Sequence, residues 1–205
     1  MALIKSISGI RGTIGGKPGE SLTPIDVTRF ASGYGTWLRR RNGGSATVVT
    51  GRDARVSGEM VAALVNASLR SVGLNVIDIG LVTTPTVEIA VTALKAGGGI
   101  ILTASHNPAQ WNALKLLNEA GEFLSDADGR MVLEIAERED YDFAEYDRLG
   151  TQSCENGWTE KHIEAVLAMP LVDTKAVRDA RFVVAVDAVN SVGGLAIPAL
   201  LKALG

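Results

Sequence analysis

Thiol chemistry is almost absent from this chain. Its 205 residues carry one cysteine, Cys154. A lone cysteine excludes an internal disulfide and suits a reducing compartment. Cys154 lies in a polar stretch with no metal-ligand spacing around it, so it reads as an incidental thiol. Histidine is scarce too, with two in all, and no dense His, Cys or carboxylate cluster supplies a complete metal site. His162 falls on an expected helix and reads as a surface or packing residue. No run of about 18 apolar residues occurs, which argues against a membrane-spanning helix. The opening Met1-Ala2-Leu3-Ile4-Lys5 lacks the apolar core of a signal peptide. The expected location is therefore cytoplasmic. Excess positive charge is missing as well: 20 Lys and Arg stand against 23 Asp and Glu, a net charge of −3. That balance gives no electrostatic reason to expect nucleic acid or an anionic membrane as a partner. Internal repeats and low-complexity tracts are absent.

What is present is an alternation of strand and helix signals. Thr23-Pro24-Ile25-Asp26 offers a capping hydroxyl, a proline at the first helical position and an acid in the first turn. Phe30, Tyr34, Trp37 and Leu38 then recur at helical spacing, and Arg39-Arg40-Arg41 suits the negative helix end. Residues 46–50 predict a short β-branched strand. A helix follows from near Ser57 to Gly73, with Met60, Leu64, Val65 and Leu69 inward. Residues 75–79 predict another strand, and Thr84-Pro85 repeats the helix-start signal for a helix ending at Gly97-Gly98-Gly99. Gly99-Ile100-Ile101-Leu102 reads as a buried strand. Such alternation argues for a layered α/β domain. Composition turns acidic and polar after about residue 138. We expect a first domain over 1–140, a connection over 141–156, and the start of a second domain over 157–205. In that last part, Trp158 to Met169 predicts a helix, Phe182 to Asp187 a buried strand, and Gly193-Gly194 the lead into an apolar helix. One strand and one helix cannot bury their own faces or satisfy a sheet edge. The second domain is therefore expected to be incomplete here.

The chemistry concentrates after residue 102. The buried strand runs into Thr103-Ala104-Ser105-His106-Asn107-Pro108, which puts the Ser105 hydroxyl at the carboxyl end of a strand. Ligands of layered α/β folds bind at that end. Lys115 follows ten residues later, within reach if the loop folds back. A hydroxyl, an imidazole, a carboxamide and an ammonium converging there suit phosphoryl chemistry. The plain alternative is a turn, since Ser, His, Asn and Pro are common turn residues. A hydrolase nucleophile elbow fits poorly, because Thr103 and Asn107 occupy the glycine positions. Ser105 and His106 are also sequence neighbours, unlike a serine–histidine pair acting through space.

Two further segments carry arginines. In Ser8-Gly9-Ile10-Arg11-Gly12-Thr13-Ile14-Gly15-Gly16 the glycines permit close backbone approach, and Arg11 can fork onto a phosphate. The alternative is a flexible loop with a surface arginine. A P-loop is excluded: counting back from Gly16-Lys17, Arg11 takes the first glycine's place and Pro18 replaces Ser or Thr. Gly51-Arg52-Asp53-Ala54-Arg55-Val56-Ser57-Gly58 sits between a strand and a helix. Arg52 and Arg55 could add positive potential near a phosphate. The favoured reading is structural, with Asp53 fixing the turn, Ser57 capping the helix and the segment supporting the site indirectly.

Taken together, Thr103 to Pro108, Asn112 and Lys115, Gly9 to Gly12, Gly51-Arg52-Asp53 and Ser57-Gly58 resemble the α-D-phosphohexomutases. That group contains phosphoglucomutase, phosphomannomutase and phosphoglucosamine mutase. Val186 to Gly194 resembles the start of the family's second domain. The resemblance implies a three-layer α/β/α domain with a mixed sheet, followed by the first strand and helix of a truncated second α/β domain. It implies an intramolecular phosphotransferase that interconverts hexose 1- and 6-phosphates through a phosphoserine and a bisphosphate. Ser105 would be the phosphoserine and a ligand of Mg²⁺, with the other metal ligands outside this chain. Arg11 and Lys115 would stabilise the transferring charge. His106 would assist proton handling, and Asn107 and Asn112 would bind substrate. Hexose 1,6-bisphosphate is implied as an activator and a hexose phosphate as the partner. Ala113 departs from the pattern, standing where the family usually shows glycine. The chain alone is expected to be inactive. The competing reading is a non-catalytic module that binds phosphate or sugar phosphate; a serine-dependent phosphatase would need two metal sites that the sequence does not supply.

Overall fold

A computed structural model describes residues 2–6, 9–44 and 46–205. Met1, and Ser8 at the head of the arginine-bearing segment, lie outside them. One mixed sheet holds seven strands: β1 (Leu3–Ser6), β2 (Gly9–Thr13), β3 (Thr47–Arg52), β4 (Asn75–Leu81), β5 (Gly98–Leu102), β6 (Trp111–Leu117) and β7 (Gln152–Cys154). Their order is β1-β2-β6-β5-β3-β4-β7. The β5-β3-β4-β7 half is parallel, and the β1-β2-β6-β5 half is antiparallel. The parallel half reads as buried β-branched runs because helices cover both faces.

Alternation along the strands sorts side chains into two cores. Val48, Ile100, Leu114 and Leu116 join one, against α1 (Pro24–Arg41), α2 (Gly58–Ser71) and α4 (Asp126–Arg138). Val49, Ile101 and Leu117 join the other, against α3 (Thr84–Ala93) and Trp158 at the start of α5 (Trp158–Leu167). These make the three layers. The capping signal at α1 forms as expected. Asp26 N–H donates to Thr23 Oγ1, and Thr23 N–H donates back to Asp26 Oδ2 at 3.1 Å. At the other end Arg40 binds Asp140 and Asp142, and Arg41 binds Glu119 and Asp128.

Several expectations change. Residues 182–187 form no strand; they run exposed, with Val183 fully open to solvent. An apolar β-branched run becomes a strand only when a neighbour accepts its ladder bonds, and no described residue pairs with it. The later helix does form, as α7 (Gly193–Leu204), after a short α6 (Thr174–Ala180). The segment 141–156 lies against the first domain: Ala144 N–H donates to Ser71 O at 2.8 Å, Gly150 N–H to Arg70 O at 2.9 Å, and β7 extends the sheet beside β4. Ser57 precedes α2 but its hydroxyl makes no capping bond. No helix among the described residues is long and apolar enough to cross a membrane.

Candidate active site

The carboxyl ends of the adjacent parallel strands β3 and β5 deliver Asp53 and Thr103 side by side. Asp53 N–H donates to Leu102 O at 3.1 Å. The Thr103 hydroxyl donates to Asp53 Oδ2 at 2.6 Å and accepts the Ser105 N–H at 3.0 Å. Asp53 is thus a buried anchor that reaches the serine through one threonine. The turn closes with Asn107 N–H on Ala104 O at 3.0 Å, and its first central residue, Ser105, takes φ of 55°. Left-handed backbone at a non-glycine residue costs energy and persists where the surroundings hold it. Ser105 and His106 are exposed.

Arg55 is what holds the loop. Its Nε donates to Asp53 at 3.1 Å. One terminal nitrogen serves Pro108 O and Trp111 O at 2.9 Å each, and the other serves Ser105 O at 2.7 Å and Asn107 O at 2.9 Å. A guanidinium has five N–H donors, and all five are spent. The possible phosphate contact from Arg55 is therefore replaced by the supporting role. Arg52 is likewise engaged, with Glu59 at 3.1 Å.

After this loop the chain returns as β6 rather than as loop, and its register aims the lysine. Lys115 lies opposite Ile101 of β5 and Gly9 of β2, while Arg11 lies opposite Ala113. Residues two apart share a face of a strand, so Arg11 and Lys115 are diagonal neighbours on one face. With Ser6, Ser105, His106 and Asn107 they line a cleft of about 520 Å³. Phe123 forms its lip, with Lys115 Nζ 5.7 Å from the ring centroid. Among the described residues no carboxylate lines the cleft, and neither Arg11 nor Lys115 forms an ion pair. Two free cations beside an exposed hydroxyl in an acid-free cleft attract a phosphate dianion. Ala113 sits in ordinary strand backbone, so its methyl group leaves the β6 register intact.

Asn112 does not belong to the cleft. It is buried on the other face, where its Nδ2 donates to Ser57 Oγ at 2.9 Å and its Oδ1 accepts the Ala113 N–H at 2.8 Å. The expected substrate contact gives way to a structural one, because the period of two turns residue 112 away from residues 113 and 115. His162 packs as expected, Nδ1 lying 2.9 Å from Thr86 Oγ1. Among the described residues a Mg²⁺ ion would meet the Ser105 oxygen without a carboxylate partner: Asp53 is consumed by Thr103 and Arg55, and no group of three or more His, Cys, Asp or Glu suited to a metal occurs. The residues present do not make a metal site by themselves. Sequence reasoning also missed Phe123 and the Asp53–Thr103 relay. Thr103 was visible inside the motif; Phe123 reaches the lip through its bridge to Leu117, which no local signal announces.

Comparison with known proteins bears on the family and the fold. Residues 3–143 match the family model described as phosphoglucomutase/phosphomannomutase, alpha/beta/alpha domain I. A phosphoglucomutase/phosphomannomutase of Thermococcus kodakarensis is 37% identical over 95% of the chain and 42% of its own length. A phosphoglucosamine/phosphogalactosamine mutase of Sulfurisphaera tokodaii is 30% identical over 100% of the chain and 43% of its own length. The chain thus spans about two fifths of the length of these relatives. The fold recurs in crystal structures of a phosphoglucomutase/phosphomannomutase family protein from Burkholderia thailandensis (TM-score 0.72, 23% identity, 98% of this chain and 43% of that one). It recurs also in the Paramecium phosphoglucomutase parafusin (TM-score 0.79, 16% identity, 98% and 41%). A seven-stranded mixed sheet, a serine turn with positive φ at the carboxyl end of its central strand and a match over most of the first 143 residues converge on one assignment: the chain belongs to the α-D-phosphohexomutases, the phosphoglucomutase/phosphomannomutase family.

Proposed function

We propose that Ser105 carries the phosphoryl group of a mutase that interconverts hexose 1- and 6-phosphates. The observation behind this reading is the exposed Ser105, fixed at φ of 55° in an acid-free cleft that it shares with Arg11 and Lys115. In the forward half-reaction a hydroxyl of the bound sugar monophosphate attacks phosphorus. The Ser105 Oγ–P bond breaks, a sugar O–P bond forms, and the hydroxyl proton passes by way of His106 to the departing Ser105 Oγ, while Lys115 stays a cation. The bisphosphate then turns round, returns its other phosphoryl group to Ser105 and leaves as the isomer. Nothing is oxidised or reduced. A phosphoserine carries nearly two negative charges, and transfer depends on positioning and on charge stabilisation. Arg11 and Lys115 supply that charge from this chain, and Asn107 lines the cleft where a sugar hydroxyl would lie. A divalent cation would take Ser105 as a ligand and need its carboxylates from beyond these 205 residues, as would recognition of glucose, mannose or glucosamine.

The test is intact-mass analysis of the chain after incubation with glucose 1,6-bisphosphate. Gain of one phosphoryl group by the wild type, and none by Ser105→Ala, is the expected result. Uptake that survives in Ser105→Ala removes the assignment. The 205-residue chain alone should show negligible turnover of glucose 1-phosphate, and steady conversion would refute that. A second reading, binding of sugar phosphate without transfer, rests on the same cleft with its two cations. It predicts saturable binding with no mass gain.

A further inference from the structure

The same loop poses a question that the two cations leave open: what fixes the peptide between Ser105 and His106. A turn closed by Asn107 N–H on Ala104 O, with a positive φ at its first central residue, can hold its central peptide in either of two orientations, as types I′ and II′ do. The closing hydrogen bond does not choose between them. Arg55 does, because its terminal nitrogen takes Ser105 O at 2.7 Å, the shortest of its five bonds. The peptide is trans and planar, so its N–H points opposite to its C=O. Arg55 lies behind the loop and does not line the cleft, whereas Ser105, His106 and Asn107 do. The His106 N–H is thereby turned away from Arg55, toward the cleft side. It has no acceptor among the described residues.

We propose that Arg55 is a positioning residue: by latching the Ser105 carbonyl it turns the His106 N–H into a hydrogen-bond donor for a phosphoryl group on Ser105. This rests on the reading of Ser105 as the phosphoryl carrier. The latch acts twice. It supplies an oriented amide where negative charge must sit, and it draws four carbonyl oxygens, each a partial negative charge, back onto one cation and out of the cleft. Arg55 does not bind the phosphate itself, since it has no donor left. Lysine cannot substitute, because three donors radiating from one point do not span Ser105, Asn107, Pro108, Trp111 and Asp53.

The experiment is a titration of the isotopically labelled 205-residue chain with inorganic phosphate, read by amide NMR. In the wild type the His106 amide proton should move strongly downfield, alongside the signals of Arg11 and Lys115. In Arg55→Lys the His106 shift should vanish and phosphate should bind about tenfold more weakly, the scale of one lost charge-assisted hydrogen bond. Arg11 and Lys115 should still respond. An Arg55→Lys chain that melts cooperatively and keeps both the His106 shift and the affinity overturns the proposal. If that variant fails to fold, the wild type decides alone. A silent His106 amide while Arg11 and Lys115 respond overturns the latch but leaves the phosphoryl cleft standing. No response at any of the three overturns the reading of the cleft, and the latch with it.

Discussion

Gly9 lies directly opposite Lys115 across the β2–β6 ladder, and no other residue fits there. A Cβ on Gly9 would stand 2.4 Å from Leu114 O, and its φ of 148° is one that side chains disfavour. β2 is therefore pressed against β6 at the point where the lysine leaves the strand. Gly9→Ala must push the strands apart or twist β2. We expect a loss of about 2 kcal/mol or more in urea unfolding, the range for strain at a special backbone position. Because β2 also carries Arg11, phosphate affinity should fall in the same variant. Unchanged stability together with unchanged affinity would show that the close approach is not needed.

Asn112 separates structural from ligand-binding roles within the serine motif. Its carboxamide joins β6 to the start of α2 through Ser57 and is buried. Asn112→Ala leaves the Ser57 hydroxyl without that donor and costs about 1–3 kcal/mol of stability. Phosphate affinity of the folded variant should remain within a factor of two or so, well below a tenfold change. A large drop in affinity with little change in stability would restore the ligand-binding role that the motif first suggests.

The contrast between Thr23 and Gly9 explains what the sequence makes legible. Thr23, Pro24 and Asp26 act on one another within a single turn, so the start of α1 can be read from four letters. The serine turn is equally local, a buried strand running into a polar loop. β2 is unreadable because Gly9 and Gly12 lower its strand propensity, and only pairing with β6 makes it a strand. The same dependence works in reverse at residues 182–187, where apolar composition promises a strand and no partner supplies the ladder. At the site, residue types show that Ser105, Arg11 and Lys115 suit a phosphate. Their meeting depends on a register set by residues a hundred positions apart, and so does the displacement of Asn112 to the other face. Arg55 is visible as a charge but not as a latch, because its five partners are assembled by the fold.

Arg40 ties α1 to the segment after α4, and that tie should be acid-sensitive. The carboxyl groups of Asp140 and Asp142 are held below their ordinary value of 3.8, in each case chiefly by hydrogen bonding to the Arg40 side chain. A depressed folded-state value means that the contribution is fully present above the unfolded value. It is lost as the pH falls through the ordinary carboxylate range and below it. Asp140 is exposed and Asp142 partly so, and the ion pairs are screened by salt, so the effect is small at neutral pH. Arg40→Met should be slightly less stable than the wild type at neutral pH, and the gap should close in acid. Urea unfolding across that range reads it. A gap that widens on acidification would contradict the assignment.

Phe123 and Lys115 are the last pair to test, because one is exposed enough to change without harming the fold. The Phe123 ring sits at the lip of the cleft, 41% exposed, with Lys115 Nζ 5.7 Å from its centroid. A cation over an aromatic face at such a site is worth about 0.5–1 kcal/mol. That attraction would hold an otherwise flexible lysine toward the serine and lower the entropy cost of meeting a phosphate. Phe123→Leu keeps the apolar bulk and removes the ring face. It should weaken phosphate binding by roughly two- to fivefold, the same energy expressed as an equilibrium constant. Lys115→Met removes the charge itself and should reduce phosphoryl uptake far more, by several kcal/mol of transition-state stabilisation, the scale of one lost charge-stabilising donor. In the double variant the Phe123 change should add almost nothing, since its effect acts through the lysine. Equal and additive losses in the two backgrounds would mean that the ring touches the ligand directly instead of aiming Lys115.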